Sequence, residues 1–590
     1  MSKKKGQQAK GKRRALRVVL IAAAAVLITV LCGFFVLLVK VKGNLSYVYN
    51  YFVKTKGSLS VEYHAEAGTA KGTPKASPET EPEKYLNSVK VIVNGSVVTE
   101  YERSRAIEFT DGLIGTNTPN RGILTFRGNY LRSLSSFGTV TGAGEHLAKD
   151  WEVKTGRFLK DDGVNYWSGN GWTGQPLVVG WTREQRSKMN LYEEVKAKEG
   201  LCEVIYPGMD GMIHFLDLET GKATRDPIHV GMTFKGTCSL HPDMPLLICG
   251  SGDSATGPFG EQVSARIFVY SLINGKKLYE FAANDTFAPR RWHGFDSSPV
   301  FAAEADTVIC PGENGVLYTV RLNAKYDAEA GTLSIDPDEV VRYVYDSKAA
   351  HDRFEASESD IGSGSESSAV VWGRFLFFGD NGGIFQCLDL NTMQPVWVQD
   401  LGEDINASPV LEISEDGSAA IYVGTTLKYH TSRYHTGEAC VYKLNATDGR
   451  IIWKKPYEVH TVSGLAGGIL SSGASGSGAA APYIYFAVSK TPSVNTGYLV
   501  ALNKDTGEEA WRKELPCDAW SSGCLTYCTD GSARLIQCCG NGDICLIDAL
   551  TGKTFDRINY GANIESTPAV FGNRLVVGLR SEYIIGARIE

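Results

Sequence analysis

Cysteine is scarce in this sequence, with 13 among 590 residues, and that excludes a small disulfide scaffold. Proline is modest at 21 against 64 glycines, a balance that suits many tight turns. Positive charge is not in excess. Lys and Arg number 60 against 66 Asp and Glu, a formal net charge of −6, which rules out a generally basic nucleic-acid binder. Several chemical signatures are missing as well. The chain has no Cys-x-x-Cys-His for an attached haem, no Gly-x-Ser-x-Gly, no His-Glu-x-x-His and no Gly-rich phosphate loop ending in Lys. With 43% hydrophobic and 21% charged residues, the chain is neither wholly disordered nor fibrous.

The charge is unevenly placed. Residues 1–17 carry eight Lys and Arg and no acid. Val18 to Val39 then run 22 residues without a charge. As a helix that stretch is about 33 Å long, enough for a hydrocarbon core of about 30 Å. The positive-inside rule predicts a basic cytoplasmic head (1–17), a transmembrane helix (18–39) and everything beyond it outside the cell membrane. The competing reading is a cleaved signal peptide, but the run exceeds the roughly 7–15 residues of such a peptide and no A-x-A-like site follows. The remainder holds 52 basic and 66 acidic residues, an acidic ectodomain with no channel for nucleic acid.

Residues 40–85 read as a stalk, because small, charged and Pro residues dominate from Ala67 onward. Residues 86–123 read as a small hairpin segment, with alternating apolar strands about Asn94-Gly95. Residues 124–590 read as the propeller domain, and from Trp172 onward one pattern recurs. A small-residue strand such as Ser297-Ser298-Pro299-Val300 is followed by an apolar strand such as Thr307-Val308-Ile309-Cys310. A Gly turn such as Glu313-Asn314-Gly315 leads to a third strand. A closing turn such as Asp505-Thr506-Gly507 leads to a fourth that often carries Trp, as Trp511 does. Neighbouring closing turns lie about 45–61 residues apart.

Four short antiparallel strands form a twisted sheet that is apolar on both faces and cannot stand alone. Packing copies face to face around an axis buries both faces, which predicts an all-β propeller of four-stranded antiparallel blades. Seven full units fall near 174–230, 236–282, 296–345, 367–402, 407–458, 464–515 and 521–560. Three further strands follow before Glu590, and Trp151-Glu152-Val153 supplies a candidate fourth. Joining the termini in one blade would remove the open edge and give eight blades, with seven as the alternative.

The repeat resembles the PQQ-binding-like β-propeller repeat, on copies such as Gly497-Tyr498-Leu499-Val500-Ala501-Leu502-Asn503 through Trp511. The same repeat is found in quinoprotein alcohol dehydrogenases and in the propeller lipoprotein of outer-membrane protein assembly. Phe126-Arg127-Gly128-Asn129 with Arg132 looks like the lead-in segment of such propellers. Kinship with the dehydrogenases would imply PQQ, Ca²⁺ and a vicinal disulfide over the cofactor. Cys538-Cys539 reads instead as strand interior ending at the Gly540-Asn541-Gly542 turn. Cys517, Cys524 and Cys528 with Cys538, Cys539 and Cys545 fit no zinc spacing, and core thiols or one to two disulfides are expected.

The first strand of each blade should line the central channel. Residues preceding its small pair can be aligned: Asp296, Glu366, Asn406, Trp520 and Glu565. Trp292 and His293 lie just before Asp296, and Trp172 lies in the loop entering the first unit. The Ser pairs are explained by close packing where strands converge. The residues before them are not, and they predict a mixed-charge, Trp-bearing mouth. The expectation is a membrane-anchored binding or scaffold module for a protein or envelope polymer, with no cofactor. The alternative is a PQQ- and Ca²⁺-dependent dehydrogenase with its site in the channel.

Overall fold

The computed structural model describes residues 60–63, 72–109, 118–160, 162–170, 172–253, 255–256, 262–290, 292–353, 363–414, 416–428, 436–462 and 465–590. The basic head and the apolar segment 18–39 lie outside them, and no helix among the described residues is long and apolar enough to cross a membrane.

Eight antiparallel sheets form the blades of one propeller. Blade 1 is built of Leu177–Gly180, Cys202–Pro207, Met212–Asp217 and Ile228–His229. The innermost strands of blades 2 to 8 are Ser239–Leu240, Val300–Ala302, Val370–Trp372, Val410–Ile413, Ala474–Ser475, Cys524–Tyr527 and Ala569–Phe571. Blade 8 is shared between the ends of the domain. Ala569–Phe571, Arg574–Leu579 and Tyr583–Ile589 take Leu147–Lys154 as their fourth strand, in a register that pairs Ile584 with Val153 and Gly586 with Trp151.

Middle strands such as Ile384–Asp389 are buried at every position, because a neighbouring blade covers each face. Side chains alternate across a strand, so adjacent residues enter different layers. Cys538 packs with Val570 and Leu575 of blade 8, whereas Cys539 packs with Leu499 and Ala501 of blade 6. All six cysteines of that region are free thiols, and the one disulfide among the described residues joins Cys238 to Cys249 in blade 2.

The recurring Trp and the closing Gly turn prove to be one joint between blades. Trp397 Nε1 donates to Ala446 O (3.0 Å), Trp453 to Lys504 O (3.0 Å), Trp511 to Ala549 O (2.9 Å) and Trp151 to Leu218 O (3.1 Å). Each ring lies on the turn glycine of the next blade. A Cβ at Gly449 would come within 2.5 Å of the Trp397 ring, and φ there is +77°, so only glycine fits.

The lead-in segment crosses the channel as a plug, and residues 121–137 touch the inner region of every blade. Arg121 pairs with Gly180 of blade 1, Leu240 N donates to Leu124 O, and Thr125 Oγ1 meets Ser298 Oγ at 3.1 Å. Val371 N and Leu411 N donate to Tyr130 O and Leu131 O. Arg127 donates to Gly473 O (2.7 Å) and Gly523 O (2.8 Å), and Ser136 pairs with Val570. Arg127 and Arg132 are fully buried and held by carbonyl and hydroxyl oxygens.

The preceding residues also lie on the propeller. Leu86–Val93 adds to the outer edge of blade 3 and turns through Asn94 and Gly95, both at positive φ, into Ser96–Val98. Thr80 is buried, and its carbonyl accepts from Val398 N. Part of the segment read as a stalk is therefore fastened along blades 4 and 5.

Candidate functional site

The small pairs close the ring. Ser298 N donates to Ser368 Oγ (2.9 Å), Ser368 N to Ser408 Oγ (2.8 Å) and Ser472 N to Ser522 Oγ (2.9 Å). These hydroxyls tie neighbouring inner strands where nothing larger fits, so they are structural. The residue before each pair lies one step nearer the open end. Asp296, Glu366, Asn406, Trp520 and Trp172 line one cavity of about 530 Å³. Ser298, two residues beyond Asp296, already touches the plug, so among the described residues the plug floors the cavity and makes it blind at that end.

The other three expected residues stand around it. Glu565 lies behind Trp172: its Oε1 accepts from Asn563 (2.7 Å), and Arg580, 3.5 Å from Oε2, also faces the Trp172 ring at 5.1 Å. Trp292 is 46% exposed at the rim. His293 is partly buried, which lowers its pKa, and its Nδ1 has no hydrogen-bond partner.

Sequence alignment missed the groups that set the electrostatics. Asp404 is buried, accepts from Asn381 (2.9 Å) and Asn406 (2.8 Å), and lies 3.5 Å from Lys428 Nζ. Asn381 bridges further, donating to Glu366 Oε1 (3.2 Å) and accepting from Arg290 (2.7 Å). Lys235 donates to Asp253 (3.1 Å) and faces the rings of Trp167, Trp172 and Trp292 at 5.2–5.5 Å. It could have been found: Thr237 occupies the hydroxyl position of blade 2, accepting from Gln175 N, which puts Lys235 at the blade's mouth. Asp404 had no such signal, because it stands two positions before Asn406 rather than in the aligned column.

Glu313 is 3% exposed and is coupled electrostatically to Asp296, which is half-buried and lines the cavity. Asp296 Oδ1 and Glu313 Oε1 receive no donor from any other group. Neighbouring carboxyls oppose each other's ionisation, so the pair favours holding one proton between them. Burial raises Asp296 to about 7, opposed by Lys235 and assisted by Glu366. Burial, then Asp296, pushes Glu313 well above the usual carboxylate range. Burial and Asp404 raise Glu366 as well. Burial works against the Lys235 ammonium, but Asp296, Asp253 and Glu313 together hold its pKa above the usual lysine range.

A carboxyl raised in the folded state takes up a proton on folding, so its contribution to stability falls as pH rises through the window from about 4 to about 7. Glu313→Gln removes the like charge from beside Asp296. It is expected to raise the melting temperature by a few degrees at pH 8 and by less at pH 5. Equal shifts at both pH values in thermal melts would contradict the coupling of the two acids.

Fold and cavity together define a class: an eight-bladed propeller, plugged at one end, with a charged and aromatic pocket at the other. Among solved structures it is similar to the quinohemoprotein alcohol dehydrogenase ADHIIG from Pseudomonas putida HK5, at 10% identity over 79% of this chain and 80% of that one, with a TM-score of 0.50. It is also similar to BamB from Moraxella catarrhalis, at 12% identity over 75% of this chain and 98% of that one, with a TM-score of 0.42. The likeness to the dehydrogenase shows the fold alone, that of the PQQ-type propellers. No protein-family model matches the chain, and no curated protein matches it in sequence.

Proposed function

We propose that the protein is a membrane-anchored, extracytoplasmic binding module that holds a protein or cell-envelope polymer at its channel mouth, with no catalytic step of its own. The observation that carries this reading is the blind cavity of about 530 Å³, lined by carboxylates, an amide and two tryptophans. Anchoring rests on the eight basic residues before the 22-residue uncharged run.

The fold serves a quinone-dependent alcohol dehydrogenase equally well, so side chains must separate the two readings. The quinone PQQ carries three carboxylates, and the described lining would meet them with Asp296, Glu366 and Asp404 against Lys428 alone. Among the described residues no three His, Cys, Asp or Glu are grouped to hold a metal ion. Cys538 and Cys539 enter opposite inter-blade layers instead of covering the mouth. PQQ with Ca²⁺ therefore fits these residues poorly.

The test is partner capture from solubilised native membranes by the full-length protein. Replacing Asp296, Glu366 and Glu565 together with Ala should weaken capture at least about tenfold, with the circular dichroism spectrum unchanged. Unimpaired capture by the folded triple variant would move the site to the blade sides. Saturable PQQ binding with alcohol turnover would replace the reading by a dehydrogenase.

A further inference from the structure

The cavity wall is divided by chemistry. Asp296, Glu366 and Asn406 come from the strands leading into blades 3, 4 and 5, and they form an arc of acceptors. Leu465, Leu470, Trp520 and Trp172 come from the segments leading into blades 6, 7 and 1, and they form an arc of carbon. The two Trp rings meet at 5.9 Å and 55°. Leu465 is 49% exposed, so this carbon surface is open at the rim.

The acceptor arc has unused capacity. Asn406 spends its amide N–H on Asp404 and Thr426, while its Oδ1 is shielded and receives no donor. Glu366 receives Asn381 on Oε1. Asp296 Oδ1 meets only the equally shielded acid Glu313. Lys428, the ammonium of the described lining, is turned to Asp404.

The charges do not balance either. Even with one proton held on the Asp296–Glu313 pair, Asp253, Asp296, Glu313, Glu366 and Asp404 carry about four negative charges against three cations among the described residues, Lys235, Arg290 and Lys428. A neutral polyol would satisfy acceptors but leave that charge uncompensated. A cation does both, and the aromatic faces favour one electrostatically. A group with N–H donors at one end and a carbon stem at the other matches both arcs at once.

We propose that the mouth cavity is a site for a primary alkylammonium group, with Asp296, Glu366 and Asn406 receiving the ammonium while Leu465, Leu470, Trp520 and Trp172 receive its carbon stem. This rests on the binding reading above and names the ligand chemistry of the same site. Two sources present that group: a lysine side chain of a partner protein, or a free diamine.

Calorimetric titration of the full-length protein in detergent micelles separates them. The probes are acetyl-Ala-Lys-Ala-amide, the same peptide acetylated on Nε, cadaverine and maltotetraose. Saturable binding of the lysine peptide is expected, weakened at least about tenfold by Nε-acetylation and similarly by Glu366→Gln. Asn406→Asp adds a carboxylate to the arc and should tighten it, which keeps the test alive if Glu366→Gln fails to fold. Binding of the peptide without cadaverine assigns a protein partner, and binding of cadaverine as well assigns free amines. Equal binding of the acetylated and free peptides, no amine binding, or binding of maltotetraose alone overturns the proposal. Partner capture that depends on the mouth while amines fail to bind would leave the binding module standing and remove only the alkylammonium assignment.

Discussion

Truncation after Ala562 will abolish cooperative unfolding of the propeller. It removes Ala569–Phe571, Arg574–Leu579 and Tyr583–Ile589 and leaves Leu147–Lys154 without a sheet. One face of blade 7, with Cys524, Ile536, Ile544 and Leu546, loses the apolar layer that blade 8 lays over it. Each such side chain is worth roughly 1.5–3 kcal/mol when fully buried, so these four alone, about 6–12 kcal/mol, are comparable to the 5–15 kcal/mol margin of an ordinary domain. An open ring also exposes strand edges that pair with other chains. Thermal melts followed by circular dichroism should show a broad, low transition, and size-exclusion chromatography should show association. A truncated protein that melts as sharply and as high as the intact one would refute closure through the shared blade.

Arg132→Met is expected to cost on the order of 3–5 kcal/mol, although the new side chain is apolar and of similar length. Arg132 is fully exposed to protein and not at all to water. Its guanidinium donates to Ala369 O (3.1 Å), Thr125 Oγ1 (2.7 Å), Phe126 O (2.9 Å) and Ser298 O (3.1 Å). Burial lowers its pKa to about 9, which still leaves it charged at neutral pH. Methionine would leave three carbonyls and a hydroxyl in the channel without that donor. It would also loosen the floor of the cavity, since those oxygens join the plug to blades 3 and 4. Urea unfolding should show the midpoint fall with the slope unchanged. An unchanged midpoint would mean that the plug is an ornament on a propeller held by its blades alone.

The blade pattern was legible because its causes are local. Alternating apolar strands, Gly turns and a Trp in the fourth strand repeat often enough to count, and the three strands before Glu590 required a partner from the other end of the domain. That Trp511 and the Asp548–Gly552 turn meet was not legible, since one blade's turn lies under another blade's ring. Arg127 and Arg132 stood out in the sequence without a task. Only the closed ring gives them one, by placing oxygens of several blades within reach of one guanidinium.

The mouth divides in the same way. The sequence by itself determined that Asp296, Glu366, Asn406, Trp520 and Glu565 hold equivalent positions, because each precedes a pair of small residues that close packing demands. Three of the five line the cavity with an acceptor and one with a ring, while Glu565 is held back by Arg580. Only the tertiary structure decided that Lys235, Glu313 and Asp404 share the mouth, that burial and a neighbouring acid raise the Asp296 carboxyl and that the channel has a floor. The reason is physical. Strand periodicity and turn chemistry act over a few residues and are written in sequence, whereas charge coupling and burial depend on distances between blades that only closure of the ring creates.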